Sequence, residues 1–189
     1  MNKKTSKIYR LAGNDWYAVM EDDDKVMLVD TDCKIGDEEL KTPWSDGDWL
    51  SEDGKNGQAI LDYVNRIADK YFSNIKHAIE ARTVEACTYK LEDAYMWPMS
   101  KEEFDGNKVI SKKIAENSCG FVRTRTFSRV YCGVHFAWYI NRDNGDGREA
   151  LGGIVSSTCR VAPAFYLRKS AIDHITDDGE IVLKPAEQK

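Results

Sequence analysis

One long stretch of helical periodicity stands between two blocks of strand-like sequence, and that order leaves few architectures open. Ile60, Leu61, Val64, Ile67, Ala68, Tyr71 and Phe72 recur at three- to four-residue spacing. The spacing predicts an amphipathic helix from about Gln58 to Phe72, opened by the Asn56-Gly57 turn. Ahead of it, Trp16–Met20, the acidic run Glu21–Asp24 and Lys25–Val29 read as a β-hairpin with a solvated, charged tip. Behind it, Ser100 and Glu103 form an S-x-x-E capping box that starts a short helix, and Val109 to Ala115 follows as a second helical piece. Three strand readings come next: Phe121–Phe127, His135–Ile140, and Cys159–Leu167, whose Pro163 implies an edge or a bulge. Asn141–Gly147 is a turn, and Glu180–Leu183 is a closing strand. Hairpin, helix, short helices, then strands is α+β rather than alternating βαβ. Mixed antiparallel sheets with two or more helices are expected, with first and last strands in sheets and the termini near each other.

The 189 residues suit one domain, long enough to bury a core without disulfides or metal. Residues 1–7 are polar and expected to fray. No apolar h-region follows the basic start, so the expectation is synthesis in the cytoplasm without a signal peptide. No apolar run approaches the length of a membrane span. The segment Asp30–Gly57 reads as an ordered loop pinned by Trp44 and Trp49; a carbohydrate-stacking role for them is the rarer case. His77 reads as a structural histidine.

Charge is unevenly spread. The chain carries −5 overall, which speaks against nonspecific nucleic-acid binding. Yet no lysine occurs between Ile114 and Arg168, while Arg123, Arg125, Arg129, Arg142, Arg148, Arg160 and Arg168 do. From Phe121 to Arg168 the only acids are Asp143, Asp146 and Glu149, a local balance of +4. Two readings stand: a recognition face, or arginines paired with carboxylates of the body.

Enzyme signatures are sparse. There is no P-loop, G-x-G-x-x-G, H-E-x-x-H or G-x-S-x-G. Asn141-x-Asp143-x-Gly145 opens like a calcium loop but has glycine at the fifth position and no glutamate at the twelfth. Cys33, Cys87, Cys119, Cys132 and Cys159 form no C-x-x-C pair, so reduced, mostly buried thiols are expected and no metal site or cofactor. Cys132 and His135 are three apart, a spacing that on a strand usually sends the two side chains to opposite faces.

Four segments then fall in an instructive order: Trp97–Glu103, Phe121–Arg125, Ala137–Asp143 and Arg160–Leu167. Together they resemble the second half of a C-type-lectin-like domain family, with its "leu-leu-ser-x-x-glu" helix start, "trp-leu-arg-ser/thr" strand, "val-x-x-asp-gly" turn and closing "val-arg-pro-ala-phe-x-leu". The resemblance spans Trp16 to Leu183, but its specific motifs lie in the second half. Phe121 stands where tryptophan is usual, and Val161-Ala162 separates Arg160 from Pro163. The sugar-and-calcium tripeptides of animal lectins are missing, so calcium-dependent sugar binding does not carry over.

Variable proteins of diversity-generating retroelements use this fold. Their randomised asparagine codons cannot become Lys, Glu, Gln, Met or Trp, and from Phe127 to Leu167 only Trp138 and Glu149 belong to that set. The resemblance implies a non-enzymatic ligand-binding protein with a hypervariable surface, residues 120–168 being the variable part. Two patches are the candidates. One is Val130, Tyr131, Cys132, Gly133, Val134 and His135; the other runs from Arg148 through Ile154 and Ser156 to Thr158, with Arg142 and Asn144 nearby. Arg123, Arg125, Trp138 and Phe165 would be scaffold. The implied partner is a protein or other macromolecule, on a virion surface for instance, and oligomeric display would raise avidity. Two rivals remain: a fixed-sequence virion or cell-surface module of the same fold, and an enzyme of formylglycine-generating type that uses Cys119, Cys132 or Cys159.

Overall fold

The structure, a computed structural model, describes residues 3–4, 7–45, 55–117, 122–131, 134–140, 153–154 and 157–186. Lys3–Lys4 (β1), expected to fray, instead pairs with the end of a hairpin arm. Ile8–Leu11 (β2), Asn14–Glu21 (β3) and Lys25–Val29 (β4) follow as an antiparallel meander. The acidic turn between β3 and β4 is an Asx turn, because Asp22 Oδ1 accepts the N–H groups of Asp24 and Lys25 at 2.9 and 2.8 Å. Those two bonds hold the Asp22 carboxyl below its usual range. Three short strands then fold the next loop: Lys34–Ile35 (β5), Glu38–Glu39 (β6) and Lys41–Thr42 (β7).

The expected helix is Gln58–Phe72 (α1), and it buries Ile60, Leu61, Val64, Ile67, Ala68 and Phe72. Gly57 precedes it at φ 91°, and a Cβ there would lie 2.5 Å from that of Ala86, so both conformation and space require glycine. A 3-10 turn, Ser73–Ala78, continues into the hairpin Arg82–Ala86 (β8) and Tyr89–Ala94 (β9), then the two-residue Trp97–Pro98 (β10). Lys101–Asp105 (α2) begins with both arms of the capping box made: Ser100 Oγ accepts the Glu103 N–H, and Glu103 Oε2 accepts the Ser100 N–H at 2.7 Å. Lys108–Asn117 (α3) completes the helical part.

Val122–Tyr131 (β11) and Val134–Ile140 (β12) form a hairpin longer than the sequence patterns predict at the ends facing the loop. Gly153–Ile154 (β13) pairs along β12. The segment from Cys159 to Leu167, expected to be one strand, is two. Cys159–Val161 (β14) pairs with β11 and β7, whereas Pro163–Arg168 (β15) pairs with β4 and β10. Proline cannot donate to a ladder, and the chain leaves one sheet and enters the other immediately before it. Pro163 is therefore neither on an edge strand nor inside a bulge; it opens a strand flanked on both sides. Ile172–Ile175 (β16) and Ile181–Leu183 (β17) close the chain as a separate hairpin.

The described residues thus form an α+β architecture with largely antiparallel sheets. One sheet orders as β1-β3-β4-β15-β10 with β2 on β3, and the other as β13-β12-β11-β14-β7, where β11–β14 is the parallel pair. The core lies between the first sheet and α1. Trp16 packs edge-on against Phe165 and Phe72 at centroid distances of 4.7 and 5.7 Å, with its Nε1 donating to Leu11 O. First and last strand regions meet as expected, since the Arg10 N–H donates to Gly179 O at 2.9 Å.

Asp30 ties this junction together. It is buried; Oδ1 accepts from Asp32 N–H, Oδ2 from Lys34 N–H, and its own N–H donates to Pro163 O. Burial pushes the carboxyl up to about 7, outweighing the amide donors that favour its ionised form. A folded pKa above the ordinary value of about 3.9 means that this group's contribution to stability is complete below about pH 4 and is lost as pH rises through 7. Asp30→Asn removes that titration. Urea unfolding should show wild-type stability falling more steeply than that of D30N between about pH 4 and pH 7; parallel profiles would contradict the assignment.

Candidate functional site

The described residues of the two patches singled out in the sequence lie on or beside one sheet. β11 and β12 pair through Arg129↔Phe136, Val130↔His135 and Tyr131↔Val134, so these four patch residues are the last two rungs of the hairpin. Ile154 of β13 sits opposite Phe136, one residue from His135. Thr158 is exposed and immediately precedes β14, the strand on the other side of β11. Cys132, Gly133, Arg142, Asn144, Arg148 and Ser156 lie outside the described residues.

The base of the same hairpin is built to stay still. Val122, Thr124 and Ala137 are buried. Two register irregularities interrupt the ladder between Arg123 and Arg129, separating this base from the outer rungs. Arg125 anchors it. Its guanidinium holds Glu103 with Nη1–Oε2 at 2.5 Å and Nη2–Oε1 at 3.1 Å, and Nη1 also donates to Pro98 O at 2.8 Å. Both side chains are mostly buried, at 14% and 20% exposure, which removes the screening that weakens surface pairs. The residue that completes the α2 cap is thus also the partner of the hairpin's arginine. Arg160 pairs with Glu39 and Arg168 Nη1 donates to His77 O, so these arginines of the lysine-free window serve the scaffold.

Other expectations divide. Phe165 is fully buried. Trp44 is also fully buried and has no face to offer a sugar, while Trp49 lies outside the described residues. His77 Nε2 lies 3.1 Å from Lys184 O on the surface, a contact that fits its structural reading. Of the described cysteines, Cys33 is buried and Cys159 half-buried, while Cys87 is exposed, contrary to the expectation of mostly buried thiols. Cys119 and Cys132 lie outside the described residues. Among the described residues no group of His, Cys, Asp and Glu could hold a metal ion, and no helix is long and apolar enough to cross a membrane.

A cleft elsewhere in the molecule was not anticipated from the sequence. Met20, Glu21, Asp22, Lys25, Glu80, Arg82, Thr83 and Tyr166 line an open cleft of about 580 Å³. It forms because Glu80 N–H bonds Tyr166 O at 2.9 Å, turning the segment before β8 against β15 beside the β3–β4 turn. Arg82 belongs to none of the motifs read from the sequence, and only its neighbours in space give it significance. Comparison with protein-family models, with curated proteins and with solved structures finds no match for this chain.

If Arg125 and Glu103 fix the hairpin base, Arg125→Ala should cost roughly 3 kcal/mol in urea unfolding, because it strands a mostly buried carboxylate. A double-mutant cycle with Glu103→Gln should give a coupling above about 1 kcal/mol, whereas Thr158→Ala should stay within about 0.5 kcal/mol. Additive Arg125 and Glu103 effects would remove the pair from the scaffold's account.

Proposed function

We propose that this is a non-enzymatic ligand-binding protein with a C-type-lectin-like fold, whose binding surface is the outer end of the β11–β12 hairpin together with β13 and the approach to β14. In this reading Val130, Tyr131, Val134, His135, Ile154 and Thr158, with the neighbouring residues of the two patches, are the variable contact positions, diversified by a retroelement. The partner is a protein or other macromolecule whose identity those residues set. The fixed-sequence module of the same fold is the reading it competes with.

One observation carries the proposal. The described residues of the two stretches poor in codon-excluded residues fall next to each other at one end of a sheet, while motif residues at the base of the same hairpin are tied into the core. Val122, Thr124 and Ala137 are buried and Arg125 is clamped to Glu103 and Pro98, so the base is held independently of what the outer rungs carry. A binding surface whose identities change requires this separation, because exposed substitutions cost little only where no packed neighbour depends on them. Tyrosine gives large amphipathic contact at low rotamer cost, which suits such a surface. The meeting of the first and last strand regions at Arg10 and Gly179 also agrees with a lectin-like closure.

Amplicon sequencing of the gene across its source population tests this directly. Substitutions should concentrate at 130–135 and 148–158 in codons reachable from AAY, with Arg125, Ala137 and Pro163 unchanged. Variation no greater there than in α1 would replace the diversified binder by the fixed-sequence module.

A further inference from the structure

We propose that the cleft between the β3–β4 turn, the start of β8 and β15 is an oxyanion-binding site, with the Arg82 guanidinium as its donor to a carboxylate or phosphate group of a small molecule. This stands apart from the hairpin surface and does not depend on it.

The argument rests on which charges in the cleft are already spent. Lys25 Nζ is bonded to Glu80 Oε1 at 2.7 Å, and Lys169 Nζ to Glu21 Oε1 at 2.8 Å. Asp22 Oδ1 is used by the two turn amides. Arg82 alone among the charged residues lining the cleft has neither a carboxylate nor a hydrogen-bond acceptor among the described residues. What holds it is aromatic: its Cζ lies 4.9 Å from the Trp97 ring centre and 5.5 Å from that of Tyr166. Trp97 is fully buried, and Asn65 fixes its approach by donating to Met96 O and accepting the Tyr95 N–H. Ring faces hold a guanidinium through its π surface and leave the in-plane N–H fork unused. A planar fork held by rigid neighbours is pre-organised for a two-oxygen acceptor. Lys25 Nζ lies 4.6 Å from the Tyr166 ring centre, so a second cation shares that ring. Thr83, which is exposed, also lines this cleft.

The paired acid gives the test a direction that loss of folding cannot imitate. Glu80→Gln keeps the shape of the side chain, removes a negative charge from the cleft and releases Lys25. Inorganic phosphate and succinate should each be titrated into the full chain at constant ionic strength, following the Arg82 Nε–Hε resonance. The anion that gives a saturating shift identifies the acid group. Its dissociation constant should rise about tenfold or more in Arg82→Lys and fall in Glu80→Gln. If neither anion saturates the Arg82 signal, if affinity survives Arg82→Lys unchanged, or if Glu80→Gln fails to tighten binding, the site is not an oxyanion site and Arg82 serves packing alone.

Discussion

Val161, Ala162 and Pro163 carry the backbone from one sheet into the other without a loop, and most of the molecule is arranged around that step. Val161 still belongs to β14; its N–H donates to Leu40 O. Ala162 is buried and belongs to neither strand. Pro163 opens β15, and its carbonyl accepts the Asp30 N–H. A residue with a long side chain at 162 would have to find room where two sheets converge, and core packing at near-crystalline density leaves little. The loop 30–42 closes over the same point from the other side, pinned by the Asp30 carboxylate and by β7 pairing to β14. The two sheets therefore cannot move independently, because the same few residues end one and begin the other.

From that junction the two candidate surfaces inherit their geometry. Following β14 sideways leads to β11, β12 and β13, and so to the outer rungs of the hairpin. Following β15 forward leads to Phe165 in the core against Trp16 and, on the alternate position, to Tyr166 at the cleft. The alternation of a single strand places one aromatic in the core and the next against Arg82. The Trp97–Tyr166 contact, at 5.4 Å between ring centres, links the short β10 to the same face.

What was legible in the sequence was what local chemistry decides. The periodicity of Ile60 to Phe72 gave α1 to the residue, the Ser100–Glu103 box formed both of its bonds, and the acidic run folded as the turn of its hairpin. The break at Ala162 was not legible, because nothing in Cys159–Leu167 interrupts its strand-like composition except a proline whose meaning depends on which strands flank it. Lys3–Lys4 also misled: polar residues that fray alone are ordered here by pairing with Met20 and Glu21. The cleft was invisible for a related reason. Arg82, Tyr166 and Lys25 are far apart in sequence, and no pattern joins them before the strands pair.

The arginines make the sharpest case that composition does not report availability. The window from Ile114 to Arg168 invited a reading as a basic recognition face. Of its arginines whose side-chain contacts are described, Arg125 is spent on Glu103 and Pro98, Arg160 on Glu39, and Arg168 on the carbonyl of His77. The alternative of arginines paired with the body holds for Arg125 and Arg160. Arg82, in a part of the chain where nothing distinguishes it, has its charge held by rings instead of by a carboxylate. An ion pair satisfies a guanidinium's donors, while a ring satisfies its surface and leaves the donors outstanding. The capacity to bind an anion follows from that difference in partner, and local net charge, which counts both kinds of arginine alike, cannot express it.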